Sequence, residues 1–132
     1  GFNEMDFVGE GSSGGSAFSK YVDVWNNIIV PKATGDTLLI SPSSAYQAYE
    51  KQVGWFIGNV TRKPDILSVH IFQDTAEKAL KILEHYRKYK MPMWITELAC
   101  INYEGPTRYC SQDETNTFWQ TIIPKLEADK DV

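Results

Sequence analysis

Ile66-Leu67-Ser68-Val69-His70-Ile71-Phe72 contains no acidic, lysine or arginine side chain and only two polar residues. A strand with one wet face alternates apolar and polar residues, whereas a strand covered on both faces reads as a nearly continuous apolar run. The segment therefore predicts a buried parallel strand. Met93-Trp94-Ile95-Thr96-Glu97-Leu98, just after Pro92, predicts another. Between them Ala76, Ala79, Leu80, Leu83 and Tyr86 recur at helical spacing behind an expected capping box of Asp74 and Glu77. Strand, helix and strand in that order form a right-handed crossover unit.

The pattern extends in both directions. Phe18, Tyr21, Val22, Trp25, Ile28 and Ile29 form one apolar stripe, which predicts a helix from Ser16 to Val30. Thr37 to Ile40 reads as a short strand closed by Ser41-Pro42, and a second helix is expected from Ala45 to Thr61. Ser111-x-x-Glu114 caps a last helix carrying Phe118, Trp119, Ile122, Ile123 and Leu126. The order αβαβαβα predicts an α/β fold with parallel strands, either doubly wound or part of a (β/α)8 TIM barrel.

A closed barrel takes eight strand–helix units and about 250 residues, so three strands in 132 residues make an incomplete barrel. Gly1-Phe2-Asn3-Glu4 reads as the tip of a strand whose body lies upstream, and Asp131-Val132 as the start of another. Residues 1–132 are thus expected to be the middle of a larger protein. In such a piece the inner face of the sheet, including His70 and Phe72, is expected to lie open to water.

Composition narrows the partners. At 42% hydrophobic and 23% charged the chain has a globular rather than a disordered make-up. A net charge of −4 with scattered Lys and Arg gives no basic stripe for phosphates, so nucleic acid is not an expected partner. No apolar run approaches the roughly 18 residues that span a bilayer, so no membrane partner is expected either. Cys100 and Cys110 either form a loop-closing disulfide or stand as two buried thiols. Asn59-Val60-Thr61 fits the N-glycosylation sequon. A disulfide and a sequon both point toward secretion.

Chemistry concentrates at strand ends. Glu97 ends an apolar parallel strand, where either a site at the C-terminal sheet edge or a buried ion pair would account for a carboxylate. His70 poses the same choice, ligand or satisfied core histidine. Asn3-Glu4 adds a second carboxylate at a strand tip, and paired carboxylates are what glycoside hydrolysis requires, one to protonate the leaving oxygen and one to attack or to activate water. Gly9-x-Gly11-x-x-Gly14 matches the dinucleotide fingerprint in letters, but only Phe7-Val8 stands where a strand is needed, so a nucleotide-binding module is a minor alternative. Neither metal-ligand spacing of His and Cys nor a Gly-x-Ser-x-Gly elbow occurs, and no metal or other cofactor is expected.

Gly1-Phe2-Asn3-Glu4, Ser41-Pro42, Ser68-Val69-His70-Ile71-Phe72 and Trp94-Ile95-Thr96-Glu97-Leu98-Ala99-Cys100 together resemble glycoside hydrolase family 128, the β-1,3-glucanases with an alkali-sensitive-linkage-protein-like core. The resemblance runs nearly the whole length. It implies that the chain carries the end of strand four and strands five to seven, with strands one to three and eight lying elsewhere. It implies Glu4 as acid/base, Glu97 as nucleophile, and Asn3, His70, Phe72 and Trp94 as contacts to a β-glucan, in a secreted or cell-wall-associated hydrolase. Two residues depart from the family pattern: Met5 stands where Pro is usual, and Phe72 offers no hydroxyl to orient the nucleophile. A catalytically idle glucan-binding protein of the same fold is the alternative they raise.

Overall fold

The computed structural model describes residues 1–103 and 105–132. Its centre is the strand pair expected from the sequence. β1 (Leu67–Phe72) runs parallel to β2 (Met93–Ala99), joined through α3 (Ala76–Tyr86). Leu67, Val69 and Ile71 are fully buried and share the core with Ala79, Leu83 and Tyr86 of α3 and with Phe118 and Ile122 of α4 (Gln112–Glu127). Ser68 and His70 alternate with them onto the opposite face, as a period of two requires.

Four expectations need correction. Thr37–Ile40 forms no strand; pairing there is one parallel bridge, Ile40 to Ile66. Pro42 has no N–H with which to continue a ladder, and the Ser41 hydroxyl accepts from the Ser68 N–H at 2.9 Å. The helix expected over 45–61 is broken into a 3₁₀ turn, Gln47–Tyr49, and α2 (Gln52–Asn59). Gln47 adopts a left-handed φ of 48°, and the buried Glu50 turns its carboxylate onto the Val53 N–H at 3.1 Å, starting α2 afresh. Thr75, rather than Asp74, caps α3 by accepting from the Lys78 N–H. Asp74 instead pairs with the Lys78 ammonium and accepts from Asn102.

The fourth correction concerns the sheet's inner face. His70 is not open to water but 2% exposed. The wet face belongs to β2, where Trp94, Thr96 and Glu97 are exposed. There a shallow cleft of about 510 Å³ is walled by Trp94, Leu98, Trp119, Ile123 and Leu126.

The first helix departs in pitch. α1 (Phe18–Val24) passes into a π-helical turn, Trp25–Ile29, then into a 3₁₀ turn, Val30–Lys32. The wider turn shifts the stripe, so Trp25 is buried while Ile28 is half exposed. The last helix agrees with expectation, and Ser111 and Glu114 exchange both hydrogen bonds of a capping box. Cys100 and Cys110 are joined as a disulfide, with Cα atoms 5.7 Å apart, across the hairpin of β3 (Ile101–Asn102) and β4 (Arg108–Tyr109). Among the described residues no helix is long and apolar enough to cross a membrane.

Candidate active site

A β-bulge sets the site. In the β1–β2 register Val69 faces Ile95 and His70 faces Glu97, so Thr96 is an extra residue. A bulge kinks its strand and re-aims the side chains beside it. Here it brings two consecutive residues to one side: the Thr96 hydroxyl lies 2.7 Å from that of Ser68, and Glu97 Oε1 lies 3.5 Å from His70 Nε2. Strict alternation would send Glu97 to the opposite face from Thr96.

Glu4 arrives from the other side. Its backbone is left-handed, with φ of 45°. Such a conformation costs a non-glycine residue of order 1 kcal/mol or more and persists only where the surroundings enforce it. The enforcing contacts are on the loop: the Glu4 N–H donates to the Ser43 hydroxyl at 2.9 Å, and the Ser13 N–H donates to the Asn3 carbonyl at 2.6 Å. The result places Glu4 Oε1 3.1 Å from His70 Nδ1. His70 thus bridges two carboxylates, one ring nitrogen to each. One ligand atom from each of Glu4, His70 and Glu97 lies within 4.8 Å of the others. An imidazole with two carboxylates is also a donor set able to hold a divalent cation.

The remaining expected contacts separate. The Phe72 ring meets His70 edge-on at 5.9 Å and Tyr103 at 6.1 Å. The Asn3 amide donates to the Gly11 carbonyl at 3.0 Å. Trp94 is half exposed and lines the apolar cleft on β2. The glycine-rich segment folds as a loop: no strand precedes it, and a Cβ at Gly14 would fall 1.7 Å from the Phe7 carbonyl oxygen. The strand–turn–helix context of a dinucleotide site is not formed there.

Beside Glu4 opens a second cleft, of about 480 Å³, within the range of small-ligand sites. Phe7, Tyr46, Tyr49, Phe72 and Tyr103 line it together with Glu4. Sequence reasoning missed this wall because Tyr46 and Tyr49 fall in a stretch read as continuous helix. Three polar residues fix it instead. Asp6 accepts from the Ser44 hydroxyl and, at 2.9 Å, from the Ala45 N–H. The Gln47 amide oxygen accepts from the Phe72 N–H and the Gln73 amide, each at 3.0 Å. Glu50 accepts from the Tyr89 hydroxyl at 2.6 Å and lies 3.0 Å from His85 Nε2. Burial opposes ionisation of Glu50, but the Tyr89 hydroxyl, His85 and Lys88 outweigh it and hold its carboxyl below the ordinary range. Burial, then Tyr109 and the Glu4 charge, push the Tyr103 hydroxyl up.

A family model described as the glycosyl hydrolase catalytic core matches residues 1–132. The chain belongs to that family. Among solved structures, this glycosyl hydrolase core is similar to a GH128 (subgroup VII) oligosaccharide-binding protein from Cryptococcus neoformans, with TM-score 0.89 and 30% identity over 98% of this chain and 52% of that one. A second GH128 (subgroup VII) oligosaccharide-binding protein, from Trichoderma gamsii, gives TM-score 0.89 at 28% identity over 98% and 52%. A mutant GH128 (subgroup I) endo-β-1,3-glucanase from Amycolatopsis mediterranei, in complex with laminarihexaose, shares the fold at TM-score 0.82 and 20% identity, over 99% and 56%. The chain therefore spans about half the length of the structures it matches. No curated protein matches it. Family and structural likeness agree with the resemblance read from the motifs.

Proposed function

We propose that this chain carries the catalytic face of a retaining β-1,3-glucan hydrolase, with Glu4 as acid/base and Glu97 as nucleophile. The observation that carries the reading is His70 between the two carboxylates, with donor oxygens within 4.8 Å of each other. Inverting enzymes hold their carboxyl groups about 6.5–9.5 Å apart to admit a water, whereas retaining ones hold them about 5–5.5 Å apart. The close approach favours retention. Glu4 is also the more sheltered carboxyl, at 16% side-chain exposure against 45% for Glu97.

In the first step a Glu97 oxygen attacks the anomeric carbon. The bond to the leaving oxygen breaks as Glu4 gives that oxygen its proton. Water then attacks the same carbon, Glu4 takes the water's proton, and the ester bond to Glu97 breaks. Neutral imidazole has one N–H and one lone pair, so His70 can accept from a protonated Glu4 while donating to an ionised Glu97.

This reading requires a partner within the same protein. Strands one to three and eight, supplied by flanking sequence, would complete the barrel and cover the apolar face of β2. The Cys100–Cys110 disulfide supports an oxidising location, secreted or at the cell wall. An idle glucan-binding protein is the second reading, favoured by the two neighbours named as oligosaccharide-binding proteins.

The test uses the protein completed by its flanking strands, with laminarin as substrate and NMR of the first-formed anomer. The expected product keeps the β configuration. Glu97→Gln should cost at least about a thousandfold in turnover, about 4 kcal/mol of barrier. Glu4→Gln should cost about 10²–10⁴ on laminarin and much less on a glycosyl fluoride, whose leaving group needs no proton. Inversion, or turnover preserved in both variants, overturns the mechanism. Binding without turnover selects the second reading.

A further inference from the structure

The cleft beside Glu4 holds more aromatic surface than its own packing explains. Tyr49 is 87% exposed, and Tyr46 and Tyr103 are each 54% exposed. Exposed aromatic rings on a mobile loop would need no account. These do not sit on one. Residues 44–50 are pinned by Asp6, Gln47 and Glu50, and the Tyr86 hydroxyl donates to the Gln47 carbonyl at 3.2 Å. On the far side, Tyr103 follows β3 in the disulfide-closed hairpin and meets Phe72 edge-on. The backbone that carries these rings is therefore held in place before any ligand arrives, so binding need not order it.

Rigid aromatic faces with hydroxyl edges suit one ligand chemistry, the pyranose ring. Its C–H face packs on an arene while its hydroxyls meet phenols and amides. The amides are present too, since Gln47 and Gln73 line the same cleft.

The position of the cleft fixes its side. It is lined by Glu4 but not by Glu97. In a displacement at the anomeric carbon, the nucleophile approaches the sugar being transferred, while the acid sits at the oxygen that departs. A subsite that touches the acid and not the nucleophile lies beyond that oxygen. We infer that the cleft between Phe7, Tyr46, Tyr49 and Tyr103 binds the sugar units on the leaving-group side of the scissile bond, toward the reducing end of a β-glucan. This inference rests on the hydrolase reading for its choice of side. The aromatic cleft and its sugar ligand stand on the geometry alone.

The experiment compares wild type with the double variant Tyr46→Ala/Tyr49→Ala, in the protein completed by its flanking strands, on laminarihexaose and on laminaribiosyl fluoride. Only the first substrate fills the cleft with sugar. The kcat/KM for laminarihexaose should fall at least about tenfold further than that for the fluoride, the worth of one ring face buried on binding. Equal losses, or no loss on either, overturn the inference.

If wild type turns over neither substrate, the hydrolase reading fails and the cleft is still decided by binding. A laminari-oligosaccharide with a nitroxide at its reducing end should broaden the ring NMR signals of Tyr46 and Tyr49. Broadening elsewhere, for instance at Trp94, or none with saturating ligand, refutes the assignment.

Discussion

The two clefts of this molecule are nearly equal in volume, about 480 and 510 Å³, and both are rich in aromatic residues, yet they are built in opposite ways. The cleft beside Glu4 stands on buried polar anchors, Gln47 and Glu50, whose hydrogen bonds are directional. The cleft on β2 stands on Trp94, Trp119, Ile123 and Leu126, with Thr96 the main polar side chain. Directional anchors fix the backbone that carries the rings and leave the rings accessible. An unbroken apolar surface has no preferred angle and gains most from being covered. Exposure alone would treat the two alike, and the support beneath the rings separates a ligand surface from a packing surface.

The largest effect expected from this contrast is on the 132-residue polypeptide itself. Trp94, Trp119 and Ile123 are 50%, 36% and 37% exposed on neighbouring elements. The isolated chain should self-associate or lose fixed packing, read by sedimentation and by near-ultraviolet circular dichroism. A sharp monomeric unfolding transition would show that the β2 face tolerates water, and the contrast with the ligand cleft would lose its basis.

Next is Glu50. Its carboxylate is fully buried and accepts from Tyr89 and the Val53 N–H. Glu50→Ala in the completed protein leaves both donors unpaired, at an expected cost of about 3 kcal/mol or more, measured by denaturant titration. The same carboxyl predicts acid sensitivity. Its folded pKa lies below its unfolded value of about 4.3, so the unfolded chain binds more protons in this window and stability rises with pH. The contribution is complete above the unfolded value and is lost as pH falls through the folded one. Glu50→Gln should flatten that part of the stability–pH curve. A curve unchanged by the substitution would remove Glu50 as the anchor.

The disulfide is a smaller lever on the same wall. Cys100 and Cys110 are ten residues apart, and closing a loop of that size contributes about 2–3 kcal/mol. Cys100→Ser/Cys110→Ser should lower stability by that amount and loosen Tyr103, seen as faster amide exchange in β3 and β4, with no change in exchange along α4. Equal loosening of α4 would mean that the hairpin supports the whole molecule and not one wall.

What the sequence showed of all this follows from range. β1 and β2 were legible as nearly continuous apolar runs, and α3 and α4 as stripes of period 3.6, because burial writes itself in neighbouring residues. Glu97 was legible because a carboxylate stands out in an apolar strand, and Glu4 from the Asn3-Glu4 motif, although Glu4 sits on a loop and not at a strand end. The bulge at Thr96 was not, although it alone turns Glu97 toward His70: a one-residue slip in register depends on a partner strand 26 residues away and leaves no local pattern. The break at Glu50 was hidden for the same reason. Its carboxylate is bound by Tyr89 and His85 on the far side of β1, so the helix expected through 45–61 was interrupted by tertiary contacts.

The smallest expected effect gives the cleanest contrast between the clefts. Tyr49 is 87% exposed and its side chain has no described hydrogen bond, so Tyr49→Ser should change the stability of the completed protein by less than about 0.5 kcal/mol. Trp119, at 36% exposure, packs edge-on against the buried Phe118 at 5.7 Å and borders the apolar cleft. If flanking strands cover that cleft, Trp119→Ser should cost the completed protein well over 1 kcal/mol. In laminari-oligosaccharide binding the ranking should reverse, with Tyr49→Ser the damaging change and Trp119→Ser neutral once folding is accounted for. One denaturant series and one binding titration on the two variants thus put both halves of the comparison at risk. If the same variant is worse in both measurements, the two clefts do not divide the work of binding and packing.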